Sequence, residues 1–358
     1  MEPPLTSTPR LVLDVDRLQS NIDRMAIHVR GLGASFRPHF KTHKTPEIVR
    51  RQLEAGAIGV TVATMHEAEV AIGAGVDDVL IAYPPVGAWR LGAIESLLGR
   101  ARIIVACSEP AHLHMLASLA RPVEYYWEVD CGAGRLGATP GDKTADALEV
   151  AQVRFPHLKL AGVMTFAGQA YSAATVEERM RVLDQETHAL AEMAELLLKR
   201  GLDPGVLSAG STPLAPIQRG VATEYRYGNY VFYDATQVGL GSADLSNCAL
   251  SVEATVIGRP TDDCVILDSG SKALTAEKMS SVTTTFGLVL GHPELRVEAL
   301  YEEHAICRST RPTSLEVGDR VQVVPNHACP CANLHAEYHA QLPGGGETRW
   351  EIAARGWG

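Results

Sequence analysis

This sequence has no excess of positive charge: 32 Lys and Arg against 42 Asp and Glu leave a formal net charge of −10. Nucleic acid and anionic membrane surfaces are recognised through a basic footprint, so neither is expected as a partner. An apolar run long enough to span a bilayer is missing too, and the Met-Glu-Pro-Pro start lacks the basic-then-apolar pattern of a secretory signal. The seven cysteines are an odd number, scattered without the rhythm of a disulfide framework. In a chain of this size that pattern reads as reduced thiols in a cytoplasmic protein. There is no short internal repeat, and Gly344-Gly345-Gly346 is the one low-complexity tract. These absences leave an intracellular enzyme or binding protein. With 358 residues and 46% hydrophobic content, it has room for a large α/β domain plus a smaller one, or a barrel with an extension.

What is present is a recurring β-like run followed by a helix-compatible one. Candidate strands are Ser35–Lys41, Gly59–Thr64, Asp78–Tyr83, Arg102–Cys107, Val123–Asp130, Leu158–Phe166, Gly205–Gly210 and Glu224–Phe232. The clearest helix is Val176–Arg200, with Val176, Met180, Leu183, Leu190 and Leu197 on one stripe and Gly201 as its stop. Strands alternating with helices in this way predict a (β/α)8 barrel rather than a doubly wound open sheet. After Asp244 the texture changes. Ser251–Ile257, Cys264–Leu267, Thr283–Leu290, Val321–Val324, Tyr338–Gln341 and Thr348–Ala353 read as strands between Gly, Pro and Asp turns. They predict a second, mostly antiparallel β domain, which Leu11–Val15 joins. The expected division is 16–244 for the barrel, and 1–15 with 245–358 for the β domain.

A barrel carries its functional residues at the C-terminal ends of its strands. Those ends hold Lys41, Thr64, Tyr83, Ser108, Asp130 to Arg135, Thr165 to Gln169, Ser208 to Thr212 and Gly228 to Tyr233. Lys41 lies within Arg37-Pro38-His39-Phe40-Lys41-Thr42-His43-Lys44. Burial and the cations Arg37 and Lys44 would lower its pKa, as an imine-forming amine requires; the plainer reading is a surface lysine at a strand end. Ser208-Ala209-Gly210-Ser211-Thr212 and Gly228-Asn229-Tyr230 are small, donor-rich turns of the kind that cradle a phosphate, although such turns are common. Gly132-Ala133-Gly134-Arg135-Leu136-Gly137 would present Arg135 to an anionic oxygen. Its spacing is wrong for a dinucleotide fingerprint. In His327-Ala328-Cys329, residues two apart on an extended chain face one side, so imidazole and thiolate can share a zinc or, less comfortably, a manganese ion. Two ligands would leave positions open for a substrate oxygen, with Cys331, His335 and His339 as further candidates. A chance His-x-Cys is the bland alternative.

Together these residues resemble the fold-type III pyridoxal-phosphate (PLP) enzymes, which pair an alanine-racemase-like barrel with a β domain. Within them the chain is most similar to the D-threonine aldolase and D-serine dehydratase family. The similarity runs from Thr8-Pro9-Arg10-Leu11-Val12-Leu13-Asp14 to Trp350-Glu351-Ile352-Ala353-Ala354-Arg355-Gly356. Its most specific motif is Arg37 to Lys44 with Pro46-Glu47. The resemblance implies that Lys41 binds PLP covalently, that Arg135 contacts the cofactor's phenolic oxygen and that Arg226 faces its pyridine nitrogen. It also implies that Ser211, Thr212, Gly228 and Asn229 hold the phosphate with Tyr230 close by, and that His327 and Cys329 bind a divalent metal, zinc or manganese, beside the substrate. Lys41 and His327 are the expected catalytic residues. A homodimer is implied as well, the β domain of one subunit closing the barrel mouth of the other.

The sequence departs from the family pattern twice. Cys329 stands where the aldolases carry Asp, as it does in the dehydratases. Met164-Thr165-Phe166-Ala167 stands where aldolases carry Gln-x-Tyr-His, so Gln169 or Tyr171 is expected to replace a substrate-facing histidine. The activity implied is retro-aldol cleavage of β-hydroxy-D-amino acids to glycine and an aldehyde. The alternative is dehydration of D-serine, D-threonine or 3-hydroxy-D-aspartate to a keto acid and ammonia. A racemase that needs no metal and a non-catalytic PLP-binding protein are the remaining readings.

Overall fold

In the computed structural model the described residues are 7–278 and 282–356, so the Met-Glu-Pro-Pro start lies outside them. They form two units. One takes Asp23–Lys41 and Pro46–Gly228; the other takes the residues up to Ile22, Thr42–Thr45 and Asn229–Gly356. None of the described helices is long and apolar enough to cross a membrane.

The first unit is built on short runs such as Val60–Val62, Asp78–Ile81 and Arg102–Cys107, buried almost throughout. That composition suits parallel strands covered on both faces. Eight strands lie in the order Ser35–Phe36, Glu224–Tyr225, Val206–Ala209, Leu158–Met164, Val123–Glu128, Arg102–Cys107, Asp78–Ile81 and Val60–Val62, every pair parallel. A parallel bridge between His39 and Thr61 joins the two ends and closes the (β/α)8 barrel. All eight expected strands are found, but the first and the last are shorter than expected. Each has two residues before the chain turns into 3-10 segments at Phe40–Thr42 and Asn229–Val231.

The barrel interior is not purely apolar. Leu80, Ile104, Ala106, Tyr126, Ala161 and Met164 form a hydrophobic cluster. Beside it the buried Arg37 guanidinium pairs with Glu224 at 2.8 Å and Asp78 at 2.6 Å. Glu224 accepts in turn from Ser208 Oγ at 2.6 Å and from the Tyr126 hydroxyl at 3.4 Å. Arg226 donates to Ser208 Oγ and to the Thr165 carbonyl. Arg37 is therefore occupied by two carboxylates, which corrects its expected role as a cation acting on Lys41.

The long helix runs Val176–Lys199, opened by a Thr175/Glu178 capping box and followed by Gly201 at φ +74°. Leu183, Leu190 and Leu197 are buried as expected, whereas Val176 and Met180 are exposed. The buried face is centred on Val182, Glu186 and Met193. At 3.6 residues per turn, Val176 and Met180 lie roughly a quarter turn or more to one side of it.

The second unit is a nine-stranded sheet in the order Cys264–Leu267, Ala305–Ser309, Leu295–Leu300, Gly287–Val289, Arg320–Pro325, Leu250–Thr261, Arg10–Asp14, Glu337–Gln341 and Glu347–Glu351. The neighbours are antiparallel except Arg10–Asp14 with Glu337–Gln341, so the N-terminal strand joins this domain as expected. Leu250–Thr261 also pairs with Cys264–Leu267 through register shifts, curling the sheet. Sequence reading missed the hairpin Leu295–Leu300/Ala305–Ser309 and the helix Ala328–Leu334. Leu295 and Val297 are buried while Arg296 and Glu298 are exposed, the alternation of a half-buried strand.

Candidate active site

At the C-terminal mouth of the barrel lies a cavity of about 380 Å³, within the size range of small-molecule sites. Lys41, Tyr83, Glu128, Arg135, Phe166 and Arg226 line it. Lys41 sits in the 3-10 turn beyond the first strand rather than at that strand's end. Both its Nζ, at 5.8 Å, and the Arg135 guanidinium, at 4.7 Å, stand over the Phe166 ring. Arg135 is also 4.0 Å from Glu128. Burial raises the Glu128 carboxyl above its ordinary pKa, against the pull of Arg135 and Arg226.

The turn presenting Arg135 is organised by Asp130. Its Oδ1 accepts from the backbone N–H groups of Gly132, Ala133 and Gly134 at 3.0, 2.9 and 3.2 Å. Gly137, at φ +111°, closes this turn so tightly that a Cβ would lie 2.5 Å from the Asp130 nitrogen. After the seventh strand, Gly210 lines the cavity, and Ser211 and Thr212 follow with buried hydroxyls that have no hydrogen-bond partner. Arg226 is fixed from two sides by Ser208 and Thr165, and burial pulls its pKa down from the ordinary value.

In the other unit, His327 ends an extended stretch and Cys329 lies in the first turn of helix Ala328–Leu334. The extended geometry expected for the pair is thus replaced by a strand-to-helix corner. They still face each other. Burial opposes a charge on His327, but Cys329, Glu277 and Asp234 outweigh it and raise the imidazole pKa well above its usual value. His327 Nδ1 is 2.8 Å from Glu277 Oε2, and the Cys329 thiol donates to Thr42 Oγ1 at 3.3 Å, Thr42 being the residue that follows Lys41 in the chain. Asp234 is buried and joins several parts of this unit. It accepts from Asn229 Nδ2 at 2.5 Å and Ala328 N at 2.9 Å, and caps helix Ala235–Gly239.

Two domain profiles match the chain: alanine racemase, N-terminal domain, over residues 13–235, and a serine dehydratase domain over 249–341. A D-threonine aldolase of Arthrobacter sp. is 32% identical, covering 98% of this chain and 93% of its own. The D-threo-3-hydroxyaspartate dehydratase of Delftia sp. HT23 is also 32% identical, with 98% of both chains covered. Its solved structure superposes with a TM-score of 0.92, at 30% identity and 99% of each chain. A cysteine-to-alanine mutant of a D-threo-3-hydroxyaspartate dehydratase, solved in a metal-free form, gives 0.90 at 29% identity over 100% of each chain.

The chain belongs to the fold-type III PLP-dependent family of D-threonine aldolases and D-serine dehydratases.

The PLP family's cofactor can be tested against residues present here. Ser211 Oγ and Thr212 Oγ1 are buried hydroxyls without partners, an unstable condition that a ligand oxygen accepting from them would relieve. At Gly210 a Cβ would stand 2.8 Å from the Arg226 nitrogen, so the backbone there must stay bare. These features fit a phosphate-bearing cofactor. For a metal, imidazole plus thiol is a suitable donor pair. Among the described residues, however, no group of three or more His, Cys, Asp or Glu forms a complete site.

Several expectations read from the residues, and one from the family pattern, are corrected. The Cys331 thiol and His335 Nε2 both bond the Ala273 carbonyl, at 3.2 and 2.9 Å, and His339 pairs with Glu347, so none of the three joins His327 and Cys329. Lys44 Nζ binds Asn333 Oδ1 at 2.8 Å and the Gly356 carbonyl at 3.1 Å, which gives it a structural task. Gln169 Nε2 is bonded to the Cys131 carbonyl, and the barrel cavity is lined by Phe166 instead of Gln169 or Tyr171.

Glu128, Asp234 and Glu277 escaped the sequence reading. Asp234 stands before a short helix with a capping side chain, a signal available in principle; the others are recognised only through their partners in space. Asp130→Ala should weaken PLP binding about tenfold by releasing the Arg135 turn, with little change in barrel stability, as read by cofactor titration and denaturation.

Proposed function

We propose that this chain is a PLP- and divalent-metal-dependent lyase that cleaves β-hydroxy-D-amino acids by a retro-aldol reaction, giving glycine and an aldehyde. The observation that carries this reading is the Lys41 amine in a barrel cavity flanked by Arg135 and Arg226, in a chain of this family. When bound, PLP supplies an electron sink at the substrate's Cα, and a divalent cation, zinc or manganese, a Lewis acid at its β-hydroxyl. Lys41 would hold PLP through its amine and would carry a proton at the substrate's Cα.

Arg135 would sit against the cofactor's phenolic oxygen. Arg226 would sit against the ring nitrogen, where a buried cation disfavours protonation and leaves more of the work to activation of the hydroxyl. Ser211, Thr212, Gly228 and Asn229, with Tyr230 close by, would take the phosphate. His327 and Cys329 would hold the cation, Glu277 orienting the imidazole through Nδ1. If the β-hydroxyl loses its proton, the Cα–Cβ bond breaks. If Lys41 takes the Cα proton, the β-hydroxyl leaves as water, and hydrolysis of the resulting enamine by a second water gives a keto acid and ammonia. Cys329 favours this second reading, a D-serine, D-threonine or 3-hydroxy-D-aspartate dehydratase, because His-x-Cys is the dehydratase pattern.

The proposal includes a barrel at 16–244, a β domain at 1–15 and 245–358, and a cytoplasmic homodimer. The seven free thiols support the reducing compartment.

Incubation with D-threonine and zinc or manganese tests the reaction. Glycine with acetaldehyde establishes the aldolase, and 2-oxobutyrate with ammonia the dehydratase. Racemisation indifferent to chelators would replace both with a racemase, and PLP uptake without turnover would leave a carrier. Chelation should lower turnover at least about a hundredfold, restored by added metal. His327→Ala should lose activity similarly, without recovery.

A further inference from the structure

Helix Val176–Lys199 turns one carboxylate inward. Glu186 is 1% exposed and lies between Leu183 and Leu190 on the buried face, where an apolar side chain would cost far less to desolvate. Its two oxygens reach the two ends of one segment. Oε1 accepts from Gly210 N at 3.4 Å and Oε2 from Gln218 Nε2 at 3.5 Å, both long hydrogen bonds. Gln218 also accepts from the Tyr227 hydroxyl at 3.2 Å. Between those ends stand Ser211 and Thr212, whose buried hydroxyls lack partners. Gly210 itself has φ +122° and no room for a Cβ, so the turn tolerates little displacement. Arg226, Cys131 and Tyr225 are the charged or titratable groups facing Glu186. Burial pushes its carboxyl up to about 7, against Gly210, Arg226 and Gln218, which pull it down.

We infer that Glu186 is a positioning residue for the cofactor phosphate: it ties both ends of segment 210–218 to the helix and so fixes the turn that presents the Ser211 and Thr212 hydroxyls. This rests on the reading of that turn as the phosphate site. Hydroxyls without partners of their own hold their places only if the backbone carrying them is restrained from elsewhere, and Glu186 supplies that restraint. A merely structural carboxylate would affect every ligand of the barrel alike. A phosphate-positioning one affects only ligands that carry the phosphate.

The test compares PLP with pyridoxal, which lacks the phosphate, by titration of the full chain freed of cofactor, for wild type, Glu186→Gln and Glu186→Leu. Glu186→Leu should bind PLP about tenfold more weakly with pyridoxal affinity unchanged, and Glu186→Gln, which keeps one acceptor, should fall between. Should Glu186→Leu fail to fold, the same selective loss is read from Glu186→Gln alone. Equal weakening toward both ligands, or no weakening, overturns the inference while leaving the PLP reading intact. A wild type without preference for PLP over pyridoxal overturns the phosphate reading and this inference with it.

Discussion

Lys41→Ala is expected to give a folded protein whose lyase turnover has fallen by roughly a thousandfold or more. The cavity wall of Arg135, Phe166 and Arg226 remains, so PLP should still enter it, but only reversibly. Borohydride separates the two states. In the wild type, reduction should fix the cofactor on the peptide containing Lys41; in the variant, dialysis after reduction should remove it. Cofactor fixed elsewhere, for instance on Lys44, would move the active amine, although Lys44 Nζ is engaged with Asn333 and the Gly356 carbonyl.

Glu224→Leu is expected to cost about 3–5 kcal/mol of barrel stability, because removing one partner of a buried pair leaves the other charge desolvated. Arg37 is 1% exposed and would keep only Asp78. Ser208, which links Glu224 to Arg226, would lose its acceptor as well. A double replacement, Arg37→Met with Glu224→Leu, should recover part of the loss, since Asp78 retains Arg102 at 2.9 Å. Denaturant midpoints for the two single variants and the double form the cycle. A double variant as unstable as the sum of the single variants would mean that the pair contributes nothing as a pair. Pairing with Glu224 and Asp78 is why Arg37, the first residue of the Arg37-to-Lys44 motif, serves the barrel rather than Lys41.

Much of this architecture was legible because it rests on local pattern. Eight short apolar runs alternating with helices announce a closed parallel barrel, since strands covered on both faces have that composition. Leu183, Leu190 and Leu197 mark a helix face by spacing alone. Leu183 and Leu190 stand about two turns apart with Glu186 between them, yet only the fold shows that this carboxylate is buried and what it reaches. Leu295–Leu300 had the alternation of a strand and was missed all the same, a failure of reading rather than of signal.

By itself the sequence determined the fold class, the family and the residues bearing candidate chemistry: Lys41, Arg135, Arg226, the Ser211-Thr212 turn and the His327/Cys329 pair. Lys41, Arg135, the Ser211-Thr212 turn and the His327/Cys329 pair are carried by a strand-end position, a turn composition or a contiguous motif, whereas the family and Arg226 rest on the resemblance. Tertiary structure alone decided how these residues are engaged. It assigned Arg37 to Glu224 and Asp78, sent Cys331 and His335 to the Ala273 carbonyl, placed Asp130 under the Arg135 turn and gave His327 its Glu277 partner. The physical reason is that a buried charge or hydrogen-bonding group is settled by whatever complementary atom lies within about 3 Å. In a closed barrel and a curled sheet that atom commonly comes from a distant part of the chain.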